Sequence, residues 1–301
     1  MPNYHAIPIQ TPDEEIGRKI GRWERLAPTA CFWISALTYL ICRAMAEIQG
    51  SYLGDIPWPF MSDTGRDRPA QYVFISGLAV GGLCYVYSFR SVYLRMLAWL
   101  REAKAAGVEI PAGLSYFAHT GLVFSLLAFP CLLGLTVFDT SRHPEVHQAF
   151  ADTFFWCGTM GTSSYTVFFW RLSEAFPVNQ LLALSFRLKA SLLALWVVAF
   201  AVYLPVGIAL ACPARLLTMH ECLVEKGLPY RYCYENVDPQ DSSNTILWTY
   251  KDCPHLYTMR AVAQTMCIFS MLMYALTFNV DLHPDLRTLT GDCDGERVLV
   301  L

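Results

Sequence analysis

Charged residues are scarce in this chain of 301 residues. They make up 16% of it, whereas a water-soluble domain usually contains about 25%. A net charge of −3 and dispersed Lys and Arg residues provide no concentrated basic face, which excludes nucleic acid as a partner. The chain also lacks an Asn-x-Ser/Thr sequon, so no part of it need carry an N-linked glycan.

The motifs of conventional catalysis are absent as well. The sequence contains no P-loop, no Gly-x-Ser-x-Gly elbow and no dinucleotide-binding fingerprint. Its apolar blocks show neither the run of acidic residues expected of a proton-coupled transporter nor paired interrupted helices. These patterns predict no cofactor and no metal, and they favour a protein that is not an enzyme.

Apolar residues, in contrast, make up 54% of the chain and give it a positive mean hydropathy. They concentrate in six blocks of roughly 20 residues, the length that a helix needs to cross a hydrocarbon layer about 30 Å thick. Backbone polar groups find no water in lipid, so each block must be helical. We therefore predict an all-α polytopic membrane bundle of six transmembrane helices, at about 26–48, 71–89, 113–138, 149–170, 188–211 and 259–280.

Six spans place both termini on the same side of the membrane. Lys and Arg are more frequent in the N-terminal segment, the second and fourth loops and the tail than in the loops opposite. The positive-inside rule then assigns both termini to the cytosol. The predicted division is a cytosolic segment 1–25, a membrane domain 26–280 and a cytosolic tail 281–301.

The loop 213–257 would accordingly face the lumen or the cell exterior, where disulfides persist. Four cysteines lie in this loop or at its start: Cys212, Cys222, Cys233 and Cys253. They allow three complete pairings, among which the sequence does not choose. A zinc site that combines these thiols with His220 and His255 is the alternative, but an oxidising compartment favours disulfides.

A polar turn follows the first span on the same predicted side. Its residues are Ser62, Asp63, Thr64, Gly65 and Pro69, in a run too rich in Pro, Asp and Gly to favour a helix. In such turns Ser and Asp usually bond to neighbouring backbone groups. The alternative is a site for a lipid headgroup at the membrane surface.

If the helix that carries the fourth span begins near Pro144, His147 and Asp152 fall in its first two turns, at the membrane surface. Ionisable groups at this depth favour a headgroup or proton-transfer role, with interfacial packing as the alternative. A metal is not predicted, because Pro144 stands where the metalloprotease pattern requires Glu.

Two glycine pairs predict close contact between helices. They are Gly77 with Gly81 in the second span, and Gly158 with Gly161 in the fourth.

Two further patterns lie at the chain ends. The segment Tyr4–Ile7 has the form recognised by endosomal sorting adaptors, and the C-terminal Leu301 suits a PDZ-type groove. Either would recruit a cytosolic adaptor, while the oligomeric state stays open.

Three motifs together resemble the damage-regulated autophagy modulator (DRAM) family within the wider FRAG/DRAM/Sfk superfamily. They are Pro-Phe-Met-Ser-Asp-Thr-Gly at 59–65 with Pro69 downstream, His-Gln-Ala at 147–149, and Leu-Thr-Phe-Asn-Val-Asp-Leu at 276–282. The resemblance extends from about Pro28 to Leu289. Gln264 departs from it, because many members carry Glu early in the last span.

The resemblance implies a multi-pass protein of lysosomal, endosomal or plasma membranes that modulates autophagy or lipid organisation through lipid binding and partner recruitment. The superfamily also implies two alternatives, a GPI-anchor or phospholipid remodelling enzyme and a plasma-membrane scaffold of Sfk type. The enzyme would use His147 as general base and Asp63 to orient either His147 or the substrate, which requires the two side chains within about 3 Å or one water apart. Gln264 removes any role that needs a carboxylate at its position.

Overall fold

The computed structural model describes residues 21–105, 107–177, 179–204 and 212–283, so Tyr4–Ile7 and Leu301 lie outside the described residues. The helices and strands of these ranges are α1 (Arg22–Gln49), α2 (Met61–Thr64), α3 (Ala70–Ala105), α4 (Leu114–Val137), α5 (Pro144–Ala175), α6 (Gln180–Tyr203), β1 (Arg215–Thr218), a π-helical segment (Glu221–Glu225), α7 (Tyr230–Glu235), β2 (Asn244–Thr249), α8 (Pro254–Leu276) and α9 (Phe278–Asp281).

Six long helices form a closed ring, in which each contacts the next one along the chain and α8 contacts α1. Five of them are long and apolar enough to cross a membrane: α1, α3, α4, α6 and α8 with α9. The fourth predicted span lies in α5, which has 32 residues but is not among these five. It is rich in hydroxyl groups, and Thr159, Thr162 and Thr166 each donate to the carbonyl oxygen four residues earlier. Such a bond gives the hydroxyl group a hydrogen-bond acceptor where no water is present.

Helix α3 continues beyond the second predicted span. We predicted an end near residue 89 followed by a loop, whereas α3 continues to Ala105. Val92, Met96, Trp99 and Ala103 are buried and recur at helical spacing. They place one face of this extension in the protein core while its basic residues occupy other faces.

Helices α6 and α8 begin before the fifth and sixth predicted spans. Helix α6 starts at Gln180 instead of 188, because the Asn179 side chain accepts a hydrogen bond from the backbone N–H of Leu182 and caps the helix. Helix α8 starts at Pro254 instead of 259, and a separate turn, α9, completes the last span. Of the predicted fifth span, residues 205–211 lie outside the described ranges.

Gly77 and Gly81 lie where α3 touches α1. A Cβ atom at Gly77 would come within 2.0 Å of the Thr38 hydroxyl oxygen, and one at Gly81 within 2.4 Å of the Ser35 hydroxyl oxygen. Only glycine permits this separation of the two helices.

The glycines of α5 lie at two other contacts. A Cβ atom at Gly161 would come within 2.7 Å of the Ser125 hydroxyl oxygen in α4. One at Gly158 would meet the terminal methyl group of Met271 in α8 at 3.0 Å, which is tight but more easily relieved.

Residues 212–253 form a small cap at one end of the ring, built on the antiparallel strands β1 and β2. Its disulfides are Cys212–Cys253 and Cys222–Cys233, which selects one of the three possible pairings. No thiol of these four remains for the zinc alternative. Leu217 and Leu247 are buried beside the second disulfide and give the cap a core of its own.

A buried ion pair joins α6 to α9. The Lys189 Nζ lies 2.6 Å from the Asp281 Oδ2, and both side chains are 0% exposed. Ser185 connects them, because it accepts from Lys189 at 2.7 Å and donates to the Asp281 Oδ1 at 2.5 Å. The ammonium also lies 4.1 Å from the centre of the Phe169 ring. Removing either charge would leave the other buried without its partner.

We expect Lys189→Met to lower the free energy of unfolding by about 3–5 kcal/mol, because it leaves the Asp281 carboxylate buried and unpaired. The double variant with Asp281→Leu should lose less than either single variant. Thermal unfolding of each purified variant in detergent measures its free energy of unfolding. As a control, Arg43→Gln breaks the exposed Arg43–Glu47 pair and should cost less than about 1 kcal/mol. Additive losses in the double variant would contradict the prediction.

Candidate functional site

Arg66, in the connection between α1 and α3, binds the cap to the bundle. Its side chain is 4% exposed and forms paired hydrogen bonds with both oxygens of Asp67, at 3.0 and 3.1 Å. It also donates to the Tyr52 carbonyl oxygen at 2.8 Å and to the Tyr232 hydroxyl of the cap at 3.1 Å. Burial of Asp67 opposes its ionisation, but the Arg66 guanidinium holds the pKa of that carboxyl below its usual value.

The Ser-Asp-Thr-Gly run is helical, which corrects the expectation of a turn. Met61–Thr64 form the single turn α2, and the Thr64 hydroxyl donates to the Met61 carbonyl oxygen at 2.7 Å. Gly65 ends it against the ring of Phe74, which a Cβ atom would approach to 2.4 Å. The close packing of this ring requires glycine there.

Asp63 bonds across the fold. Its Oδ1 accepts from the Thr140 hydroxyl at 3.0 Å, in the connection between α4 and α5. The side chain is buried, and this burial raises the pKa of Asp63 although Arg66 and the Thr140 hydroxyl favour its ionised form. Asp63 therefore links two connections that are far apart in sequence.

His147, in the first turn of α5, is held in one orientation. Its Nδ1 lies 2.8 Å from the Phe138 carbonyl oxygen. A carbonyl oxygen only accepts, so the proton of a neutral imidazole is assigned to Nδ1 and the lone pair to Nε2. The ring is 7% exposed and lines the cavity described next. A neutral His147 can therefore accept a hydrogen bond or a proton at Nε2.

Between the cap and the ring of helices lies a cavity of about 590 Å³, within the range of ligand pockets. Its lining comes from α2, the α4–α5 connection, the first turns of α5, the end of α6, the cap and α8. The lining residues are Phe60, Ser62, Asp63, Thr140, Pro144, Glu145, His147, Gln148, Tyr203, Pro213, Ala214, Trp248, Tyr250, Tyr257, Arg260 and Gln264.

The structure brings four of the predicted site residues to this cavity: Ser62, Asp63, His147 and Gln264. The other four do not line it. Thr64 and Gly65 shape α2, Pro69 is exposed just before α3, and Asp152 accepts from the Gln148 side chain at 2.7 Å.

Gln264 connects α8 to α2. Its Oε1 accepts a hydrogen bond from the backbone N–H of Met61 at 3.0 Å, and the side chain is buried. That N–H lies at the first position of a helical turn and has no partner within the turn. The amide thus satisfies a buried backbone donor, and its own nitrogen remains a donor.

Sequence reasoning missed Arg260 and the aromatic walls of the cavity. Arg260 lies one residue inside the sixth predicted span, and an ionisable residue in that position is itself an indication of function. No sequence pattern indicated the aromatic residues, because they come from separate parts of the chain. Trp248 and Tyr250 belong to the cap, and Tyr203 belongs to α6.

The family model described as Frag1/DRAM/Sfk1/Cwh43P N-terminal domain matches residues 24–285, which is most of the chain. The matched range contains every residue that lines the cavity. No curated protein and no solved structure matches the chain.

We expect the stability of the Asp63→Asn variant, relative to that of the wild type, to increase as the pH rises from 4 to 7. The raised pKa means that folded Asp63 holds its proton more tightly than unfolded Asp63. Its contribution to stability is therefore complete below about pH 4 and is lost as the pH rises through the folded pKa. Asparagine keeps an acceptor for Thr140 and does not ionise.

The measured quantity is the unfolding temperature of Asp63→Asn minus that of the wild type, across this pH range in detergent. Ser62→Ala serves as the control, because it changes no ionisable group and should give a difference independent of pH. A difference for Asp63→Asn that is constant or falls with pH would contradict the assignment.

Proposed function

Because the chain belongs to the Frag1/DRAM/Sfk1/Cwh43P family and is a multi-pass membrane protein, we propose that it binds a membrane lipid by its headgroup in the cavity beneath the cap. Within this family we assign it to the DRAM type, on its Ser62-Asp63-Thr64-Gly65 run. Its role is to modulate autophagy or membrane lipid organisation.

The observation that carries this proposal is the position and lining of the cavity. It lies at one end of the helix ring, at the level where apolar helices give way to a polar cap. Its lining combines five aromatic side chains with polar groups that include Asp63, His147 and Gln264. Such a lining suits a ligand that is partly apolar and fixed by a small number of directed hydrogen bonds.

We further propose six spans with both termini in the cytosol. The length of α5 and its place in the ring between α4 and α6 support a sixth crossing. The two disulfides of the cap support a lumenal or extracellular location for the cavity, where such bonds persist. The membrane is lysosomal, endosomal or plasma membrane, and cytosolic adaptors would bind Tyr4–Ile7 or Leu301.

We expect the double variant Asp63→Ala with His147→Ala to retain less lipid than the wild type after purification in mild detergent. Both side chains line the cavity, so their removal takes away two of its fixed polar groups. Lipid mass spectrometry measures the amount retained per protein. The matched control is Arg231→Ala with Glu235→Ala, an exposed ion pair on the cap. Equal lipid in both double variants and the wild type would refute the proposal.

A second candidate is a lipid-remodelling enzyme, in which the Phe138 carbonyl oxygen, and not Asp63 as predicted, orients His147. Its Nε2 could take a proton from water as the oxygen attacks an acyl ester carbonyl. The ester C–O bond then breaks as the protonated imidazole returns the proton to the leaving alcohol oxygen, and the products are a fatty acid and a lysolipid. We expect lysolipid to accumulate over time with wild-type protein in phospholipid vesicles and to be lost in His147→Gln. A wild-type protein that leaves the lipids unchanged excludes this candidate.

A further inference from the structure

Arg260 is held at the cavity wall by aromatic rings. The ring centres of Phe60, Tyr203 and Tyr257 lie 5.9, 5.9 and 5.5 Å from its Cζ. Its Nε donates to the Tyr203 carbonyl oxygen at 3.2 Å. A guanidinium has five N–H donors, so these contacts fix its position while the terminal nitrogens keep donors for a ligand. Fixing the donors in advance lowers the cost of ordering them on binding.

The two carboxylates that line the cavity, Asp63 and Glu145, do not form an ion pair with Arg260. In the part of the chain that the structure describes, Arg260 forms no ion pair with a carboxylate. Asp63 accepts from Thr140 instead, and Glu145 is exposed in the first turn of α5. Asp152, which does not line the cavity, attracts Arg260 electrostatically, and the terminal nitrogens of Arg260 remain available to a ligand.

Two further features make the cavity suitable for an anion. Gln264 contributes a neutral amide with N–H donors, since its oxygen is already occupied by the Met61 N–H. The N-terminus of α5 contributes Pro144 and His147 to the lining, and the positive end of a helix dipole stabilises negative charge.

On these contacts, and resting on the headgroup site proposed above, we propose that the ligand is a phosphate ester bound by Arg260. A guanidinium matches two phosphate oxygens with two parallel N–H donors, which an uncharged headgroup does not offer. Phospholipids would then be bound in preference to diacylglycerol or an uncharged glycolipid with the same acyl chains. The rings around Arg260 would exclude water from this contact.

The test uses delipidated full-length protein in detergent, offered an equimolar mixture of phosphatidylglycerol, diacylglycerol and glucosyl-diacylglycerol with the same acyl chains. Native mass spectrometry then measures the lipid retained. We expect phosphatidylglycerol to exceed diacylglycerol by about tenfold or more, the effect of one charge-assisted hydrogen bond. Arg260→Gln should abolish this preference, and Arg260→Lys, which keeps the charge but not the paired donors, should retain part of it.

Gln264→Glu is a second, nearly isosteric variant. Its carboxylate can still accept from the Met61 N–H, so the link between α8 and α2 is kept while a negative charge enters the cavity. We expect it to reduce phosphatidylglycerol retention as well. Arg231→Gln is the control, because it removes a positive charge from a side chain that is 89% exposed on the cap.

The outcomes separate the two proposals. Equal retention of phosphatidylglycerol and diacylglycerol by the wild type, or equal losses in Arg260→Gln and Arg231→Gln, would overturn the phosphate assignment and leave the headgroup site standing. A wild type that retains none of the lipids would overturn the headgroup site itself. Competition with glycerol 3-phosphate identifies the source: displacement that depends on Arg260 indicates that the phosphate suffices, and resistance indicates that the lipid is required.

Discussion

The arrangement of the cavity depends on one buried cation, the guanidinium of Arg66. A buried charge is tolerated only when it is paired and hydrogen-bonded, and Arg66 obtains these partners from Asp67, the Tyr52 carbonyl oxygen and the Tyr232 hydroxyl. Because Tyr232 belongs to the cap, this requirement ties the cap to the connection that also carries Asp63. The cap then supplies Trp248 and Tyr250 to the cavity wall.

Polar groups secure both ends of the helix ring, by different means. At the cap end, hydrogen bonds and disulfides connect segments outside the apolar helices. At the other end, the Lys189–Asp281 pair is enclosed by α6, α9 and the ring of Phe169. Between the ends, packing depends on close approach at Gly77 and Gly161, and hydroxyl groups bond within their own helices. Polar groups in apolar surroundings have no water to bond to, so they must find their partners within the protein.

Helix positions followed from the sequence wherever apolar residues were continuous, as in 26–48 and 113–138. The sequence did not predict that two helices extend past their spans into polar sequence: α3 reaches Ala105 through a buried stripe on one face, and α6 begins at Gln180, directly after the cap residue Asn179. The single turn α2 was also missed, because its stability depends on contacts with Gln264 and Phe74 from other helices. Local propensity does not contain such contacts.

The sequence by itself determined the apolar helices, the cysteine-containing loop and the motif around Asp63, because each depends on residues that are neighbours in the chain. Only the tertiary structure decided which cysteines pair, that Asp63 bonds to Thr140, and that Arg260 shares a cavity with His147. These are contacts between residues separated by 11 to more than a hundred positions in the chain. Their geometry is set by how the six long helices close into a ring, and hydropathy along a chain carries no information about that closure.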